Sequence, residues 1–485
     1  MPDFLSLTNA LLLVHWTFVV VVSIRVIMRR RPIGVSLAWL ALLFLLPFVG
    51  TGLYLLVGET RLGDQRTRRA LALREAGQSL VGAMRERAAK RPIELPAHLR
   101  PIERQATATI GLPAVGGNRL RLYDDAIAAF RQLVRDIDGA ERTVHLLFYI
   151  VSDCGVVNDV FDALSRATER GVSCRLLVDA IGSKDFLNSP AADSLRRGGV
   201  RVVAALPVGP VRSLFVRIDV RNHRKIAVID GHTAYTGSLN LCDPKLYMQD
   251  EPFGEWVDTM VRLEGPAAEA LELTFLNDWQ MEGTESIESL MPTGDLREVE
   301  PKGSTPVQVV PSGPGQAPKA IHEMLLTAIY AARTSIVITT PYFVPDESLM
   351  TAIRCAARRG VSVHLVVPAR SDSRLVHIAS RANFDDLLED GVRVFEYTSG
   401  LLHAKTITVD DQISLIGTAN MDMRSFWLNL EITLFVYDET FTADLRALQD
   451  RYAADAREFD GARWAKRPVW RRFVENTVRL LGPLL

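Results

Sequence analysis

Hydrophobic and polar residues divide the chain into a nearly uncharged N-terminal stretch and a long alternating body. Phe4–Ile24 runs for 21 positions without Lys, Arg, Asp or Glu, and Pro32–Gly58 for 27. A helix needs about 20 apolar residues to cross a bilayer core, so residues 1–60 read as a two-helix membrane hairpin, a multi-pass anchor. A secretory leader is the alternative for the first run. Against it, no basic residue precedes the run, no small-x-small cleavage site follows, and a second run comes at once. Arg25, Arg29, Arg30 and Arg31 fill the connection, and Arg61, Arg66, Arg68 and Arg69 follow the second run. The positive-inside rule draws both flanks of that run to the cytoplasm. A shallow re-entrant hairpin kinked near Pro47 and Gly50 therefore stands beside a full double span. Residues 61–105 read as a basic juxtamembrane linker that either presents a solvated face or meets anionic headgroups.

From about Leu120 the periodicity changes. TVHLLFYIV reads as a buried strand, VVNDVFDALSRATERG as a helix and VSCRLLVDA as a strand. SIVITTPYF, ESLMTAIRCAARRG and VSVHLVVPA repeat that order, and GGVRVVAA is echoed by DGVRVFEY. One α/β unit therefore occurs twice. The boundaries expected are a first lobe over 106–291, a Pro/Gly-rich linker over 292–318, a second lobe over 319–460 and a basic amphipathic tail over 461–485. Val203 to His223 is 20 residues, whereas Val394 to His403 is 9. The additional segment, PVGPVRSLFVRIDVR, is either a plain surface loop or an interfacial segment dipping toward lipid. The tail poses the same choice: Trp464, Trp470 and Phe473 stand among Lys466, Arg467, Arg471 and Arg472, and they either dock on the protein or touch a membrane.

A formal net charge of −1 gives no global signature of a nucleic-acid binder. Cys154, Cys174, Cys242 and Cys355 lie far apart without metal or redox spacing. No metal-ligand cluster is expected, and no cofactor.

The chemistry is carried by a second repeat. His223-x-Lys225-x4-Asp230-x6-Gly237-Ser238-x-Asn240 recurs as His403-x-Lys405-x4-Asp410-x6-Gly417-Thr418-x-Asn420, 180 positions on (403 minus 223). Both copies open in strand-like stretches, Asn222–Ile229 and Leu402–Val409, where residues i and i+2 share a face. His223 and Lys225 should project together, as should His403 and Lys405. Asp230 and Asp410 have the opposite parity and stand at a turn, Asp230-Gly231 being a hairpin signal; they belong to the motif, but as orienting or structural groups. The returning strands bring Ser238 with Asn240, and Thr418 with Asn420, to one face. Gly237 and Gly417 leave room for close backbone or substrate approach. Two histidines, two lysines and two asparagines converging about a two-fold make a cradle for one phosphodiester. Lysines and amides would hold the non-bridging oxygens, one neutral imidazole would attack phosphorus, and the other, protonated, would protonate the leaving oxygen. Two carboxylates in otherwise apolar strand-like runs join the set: Asp258 in EWVDTMVRLEG, 35 residues after His223, and Glu431 in NLEITLFVYD, 28 after His403. Buried carboxylates need partners, and a structural ion pair is the alternative to a catalytic role.

The twin motif resembles the phospholipase D superfamily. With TGSLNLCDP, TPYFVPDE, SFWLNLEITLFVYD and the apolar N-terminus, it resembles bacterial cardiolipin synthases over nearly the whole chain. The resemblance implies a two-lobed α/β phospholipase D-like fold behind a membrane hairpin, placed in the bacterial inner membrane; the face that carries the catalytic body stays open, the cytoplasmic one being favoured. It implies phosphatidyl transfer between two phosphatidylglycerols, giving cardiolipin and glycerol. His223 would form a phosphatidyl-histidine, and His403 would act as acid and then base, with the exchanged roles open. It also implies that Asp258 and Glu431 orient the imidazoles; within each lobe this would pair Asp258 with His223 and Glu431 with His403. The rivals are a hydrolytic phospholipase D, a phosphatidyltransferase with another acceptor, a phosphodiesterase acting on nucleic acid, and a non-catalytic lipid-binding scaffold. Neutral charge speaks against nucleic acid, and two unbroken motifs speak against a scaffold.

Overall fold

The computed structural model describes residues 2–29, 33–46, 48–59, 78–209, 217, 219–248, 250–251, 253–283, 285, 296–315, 317–480 and 482. The chain forms two units, one from residues 1–64 and 208–220, the other from 65–207 and 221–485. Most of the basic stretch after Arg61 and most of the inserted PVGPVRSLFVRIDVR segment lie outside the described residues.

The smaller unit contains helices α1 (Pro2–Met28), α2 (Ile33–Leu45) and α3 (Val49–Val57). The expectation of two full spans is corrected here. Among the described residues no helix is long and apolar enough to cross a membrane. The second uncharged run is two short helices of 13 and 9 residues, with Phe48 between them at φ 59, a conformation that does not continue a right-handed helix. In α1, Asn9, His15, Thr17 and Ser23 dilute the apolar run. Val19, Val22, Val26, Leu43 and Tyr54 form a small core. Glu59 is buried beneath it, accepting from Arg25 (2.8 Å) and from the Tyr54 hydroxyl (3.0 Å). Leu13, Ile24, Ile27, Ile33 and Leu45 remain largely exposed.

The larger unit is built on one 15-stranded sheet. Its strands in the first lobe are β1 (Val115–Tyr123), β2 (Thr143–Phe148), β3 (Ser173–Asp179), β4 (Arg201–Ala205), β5 (Ile226–Ile229), β6 (Thr233–Gly237), β7 (Trp256–Val257) and β8 (Met260–Glu264). Those of the second are β9 (Thr305–Ser312), β10 (Ser335–Thr339), β11 (Phe343–Val344), β12 (Ser362–Pro368), β13 (Arg393–Tyr397), β14 (Leu401–Leu402), β15 (Thr406–Val409), β16 (Ile413–Gly417), β17 (Met421–Asp422), β18 (Glu431–Val436) and β19 (Ala456–Glu458). The order in the 15-stranded sheet is β19-β13-β12-β10-β15-β16-β18-β9-β1-β8-β6-β5-β2-β3-β4, and outside it β11 pairs with β17 and β14 with β7. Read outward from the β9–β1 seam, the two halves have the same topology for seven strands each, and β19 is an additional edge strand of the second; the sequence repeat is a two-fold repeat of structure.

The seam strand β9 lies inside the stretch expected to be a linker. Pro306 and Pro311 near its ends obscure it in the sequence, yet VQVV between them alternates as a strand does, and β9 pairs with β18 from Val307 to Ser312. Pro311, which has no N–H to donate, lies beyond the part that β1 pairs. The helix Arg100–Ile110, at the edge of the expected juxtamembrane linker, buries Ile102 and Ala106 in the second lobe's core. Helices Ala268–Met281 and Glu439–Ala454, one from each lobe, pack into a single cluster spanning the seam. Outer helices of each lobe cover the opposite face.

Candidate active site

Each histidine-lysine pair sits where its strand leaves the sheet. β5 begins at Ile226 and β15 at Thr406, so regular pairing starts after the lysine and not before the histidine, as expected from periodicity. The segments are held instead by the opposite lobe. His223 N–H donates to Leu430 O (2.9 Å) and Leu430 N–H to Arg221 O (2.9 Å). His403 N–H donates to Val257 O (2.8 Å), and β14 pairs with β7 in parallel.

This exchange decides which carboxylate meets which imidazole. His223 Nδ1 lies 3.0 Å from Glu431 Oε2, and His403 Nδ1 lies 2.6 Å from Asp258 Oδ1. The pairing within each lobe is therefore corrected: Asp258 serves His403 and Glu431 serves His223. Nearness in sequence suggests the opposite, but the parallel contacts across the seam carry each histidine to the other lobe's post-motif strand. Both carboxylates are themselves oriented. Thr418 Oγ1 donates to Glu431 Oε2 (2.5 Å), and Asn429 Nδ2 donates to its Oε1 (3.2 Å). Ser238 ties down the neighbouring Thr259 backbone, accepting from its N–H at 2.9 Å. A carboxylate on Nδ1 selects the tautomer that leaves Nε2 available for chemistry.

All four cationic or basic groups are buried. Lys225 Nζ donates to His223 O (2.8 Å) and Lys405 Nζ to His403 O (2.6 Å). Each imidazole feels both lysines, its own and that of the other lobe, so the two copies of the motif share one electrostatic environment. Burial pushes the His223 imidazole down to about 4 against the attraction of Glu431, and pushes His403 down against Asp258. It also lowers the lysine ammoniums, Lys225 to about 8 and Lys405 to about 7. Burial works against charge on Asp258 too, but His403 and Lys405 outweigh it and hold the carboxyl at about 2. Two buried ammoniums, beside carboxylates already engaged by the imidazoles, are poised to accept a phosphate.

Asn240 Oδ1 accepts from Ile150 N–H (3.2 Å), while its buried Nδ2 has no partner among the described residues; at Asn420 the buried Oδ1 has none. Which end of such an amide is oxygen is assigned from its surroundings, so each asparagine offers one buried polar end to a ligand. Gly237 and Gly417 serve backbone approach. A Cβ on Gly237 would lie 2.3 Å from Thr259 O, and one on Gly417 2.2 Å from Ile432 O.

Asp230 and Asp410, counted among the catalytic residues of the motif, are not at this centre. They stand at the far ends of β5 and β15. Asp230, at φ 51, accepts from the N–H groups of Glu141, Arg142 and Thr143 (2.8–3.0 Å). Asp410, at φ 53, does the same for Arg333, Thr334 and Ser335. Each clamps a hairpin turn to the start of the neighbouring strand. Alanine at either position leaves those amides without an acceptor and strains the left-handed backbone. Stability should fall by on the order of 2–3 kcal/mol, with less than about a tenfold loss of turnover in the protein that remains folded. Denaturant titration and single-turnover rates measure the two effects separately.

Periodicity did not reveal three features. The Tyr149 ring meets His223 edge-on at 5.0 Å between centroids, with Lys225 Nζ 5.4 Å above it, and Trp256 lies 4.5 Å from the His403 ring. Arg224, fully buried between His223 and Lys225, donates to Asp278 (2.6 Å), Glu431 O (3.0 Å) and Ser312 O (3.0 Å). An arginine amid NHRKIAVI, where the second copy has Ala404, was the available signal.

A two-fold α/β fold with paired imidazoles beside buried lysines defines the phospholipase D-like class of phosphodiester-cleaving and phosphodiester-transferring enzymes. The family model described as "Cardiolipin synthase, PLD-like domain" matches residues 133–279 and 325–452, and one described as "Phospholipase_D-nuclease N-terminal" matches 17–59. Cardiolipin synthase A of Yersinia pseudotuberculosis serotype O:1b (strain IP 31758) is 41% identical over 471 residues, 97% of either chain, and that of Yersinia pestis is equally similar. The chain belongs to the cardiolipin synthase family. A solved phosphatidylserine synthase of Haemophilus influenzae Rd KW20 has the same fold, with a TM-score of 0.57 and 14% identity over 79% of this chain and 99% of that one.

Proposed function

We propose that the chain joins two phosphatidylglycerol molecules into cardiolipin and releases glycerol, through a phosphatidyl-histidine. The observation that carries the reading is that a buried carboxylate from the opposite lobe occupies Nδ1 of each imidazole, which leaves both Nε2 atoms for the chemistry. His223 Nε2 attacks the phosphorus of the first lipid. The P–O bond to glycerol breaks, and protonated His403 delivers its proton to the departing oxygen. His403, now neutral, takes the proton of a hydroxyl on the second phosphatidylglycerol. That oxygen attacks phosphorus, and the P–N bond to His223 breaks. Lys225, Lys405, the free Nδ2 of Asn240 and, with its amide turned over, the Nδ2 of Asn420 donate to the non-bridging oxygens, whose charge grows in each transition state.

The substrates are bilayer lipids, so the enzyme works at a membrane. The N-terminal unit is its anchor in this reading: exposed Leu13, Ile24, Ile27, Ile33 and Leu45 meet lipid as a hairpin whose second arm is re-entrant. The site would face the cytoplasmic side of a bacterial inner membrane. Purified full-length enzyme in phosphatidylglycerol–detergent micelles should release cardiolipin and glycerol in equal amounts, as read by mass analysis. Phosphatidic acid as the main product would make the enzyme a hydrolytic phospholipase instead.

A further inference from the structure

The C-terminal helix Val469–Arg479 is packed inside out. A helix docked on a globular body ordinarily buries its apolar stripe. Here Val469 (79% exposed), Trp470 (63%), Phe473 (70%) and Leu480 (79%) face outward, while the residue turned into the protein is Glu475. At about 100° per residue those four side chains fall within an arc of roughly 100°, almost opposite Glu475. The polar docking is specific. Arg467 donates to Glu475 (2.9 Å) and to Asp385 (2.7 and 2.8 Å), and Arg381 lies 3.6 Å from Glu475. Buried Trp464 lies beneath the Arg467 guanidinium, 4.0 Å from ring centroid to carbon. The body thus fixes the helix by its charged face and leaves a row of large apolar groups uncovered.

The surroundings of that row indicate what covers it. Between Arg463 and Leu480 the sole acidic residue is the buried Glu475, whereas Arg463, Lys466, Arg471, Arg472 and Arg479 are all exposed. Tryptophan and phenylalanine flanked by arginine and lysine suit the boundary between headgroups and acyl chains, where the rings enter the apolar layer and the cations stay with phosphates. We propose that this helix is a second, peripheral docking surface for an anionic lipid bilayer, separate from the N-terminal unit, and that it brings the catalytic body to the lipid surface. The proposal concerns presentation of the enzyme to its substrate and leaves the chemistry at His223 and His403 untouched.

The test uses the full chain in lipid nanodiscs and the double variant Trp470→Glu/Phe473→Glu, whose two positions are exposed. Difference fluorescence between wild type and Trp470→Phe isolates the Trp470 signal. In nanodiscs containing phosphatidylglycerol that signal should shift to the blue and be quenched by lipids brominated high on the chain; in pure phosphatidylcholine both effects should be weak. On phosphatidylglycerol bilayers the double variant should lose at least about tenfold in rate, while its rate in detergent micelles stays within about twofold of wild type. Micellar activity absent from wild type as well would count against the proposed reaction, and the fluorescence result would still judge the surface. Trp470 that stays unquenched in phosphatidylglycerol nanodiscs overturns the proposal, as does quenching indifferent to lipid charge. Burial of Trp470 by self-association without lipid would likewise overturn it and assign the face to a second copy of the chain.

Discussion

Replacing His223 or His403 with alanine should lower turnover by roughly 10⁴-fold or more without unfolding the protein, because each imidazole supplies a bond-making or proton-transferring group that nothing nearby replaces. The two variants should fail differently. A phosphatidyl donor with a leaving group such as p-nitrophenol needs no acid to expel it. His403→Ala should therefore still react once with that donor, releasing a burst of nitrophenol and leaving lipid phosphate on the protein. His223→Ala should give neither burst nor label. A burst in His223→Ala and none in His403→Ala would exchange the two roles, and near-normal turnover in either variant would remove the two-histidine mechanism altogether.

The carboxylates should divide the pH profile between them, in the arrangement dictated by the crossed pairing. Turnover requires neutral His223 and protonated His403, so rate against pH is a bell whose apparent constants belong to the coupled set, including Lys225 and Lys405. A carboxylate beside an imidazole favours the imidazolium and raises its pKa; removing the charge lowers it further. Glu431→Gln should act on His223, which burial already holds at about 4. A less basic His223 stays neutral to lower pH, so the acid limb moves down. Asp258→Asn should act on His403, which then loses its proton sooner, so the alkaline limb moves down. Each change should also cost on the order of 10²–10⁴-fold in rate, because an amide does not hold the imidazole tautomer as a carboxylate does. The same measurement would reverse the limbs if each carboxylate served the histidine of its own lobe. Unchanged limbs and rates would make both carboxylates purely structural.

Much of the molecule was legible in the chain because it is written twice. Identical spacing in His223–Asn240 and His403–Asn420 fixed the site, and matching strand–helix–strand text fixed the paired lobes. Two features resisted. β9 is hidden by Pro306 and Pro311, whose turn signal masks the alternation of VQVV between them. The crossed partnership of His223 with Glu431 and His403 with Asp258 depends on parallel contacts over more than 140 residues of sequence, and no local pattern encodes which lobe reaches which. Asp230 and Asp410 belong to the repeated motif as firmly as the histidines do, but their opposite parity and the turn they stand at already marked them as orienting or structural groups, and each clamps its turn. The apolar N-terminus misled in another way: composition measures the length of an uncharged run, but not the break at Phe48 that divides it.

The crossed carboxylates carry an implication for how such an enzyme can be assembled. Each lobe owns one imidazole and the other imidazole's anchor, so cutting the chain at the seam yields two incomplete halves and never one working half with a spare. Duplication here is not redundancy, and an intact motif in one lobe cannot compensate for a damaged motif in the other. A solitary lobe carrying the same residues could work only as a symmetric pair, each copy lending its carboxylate to its neighbour. Joining two such copies in one chain turns an encounter that depends on concentration into an intramolecular one. It also frees the two sides to diverge, as Arg224 opposite Ala404, and Tyr149 at one imidazole against Trp256 at the other, already show.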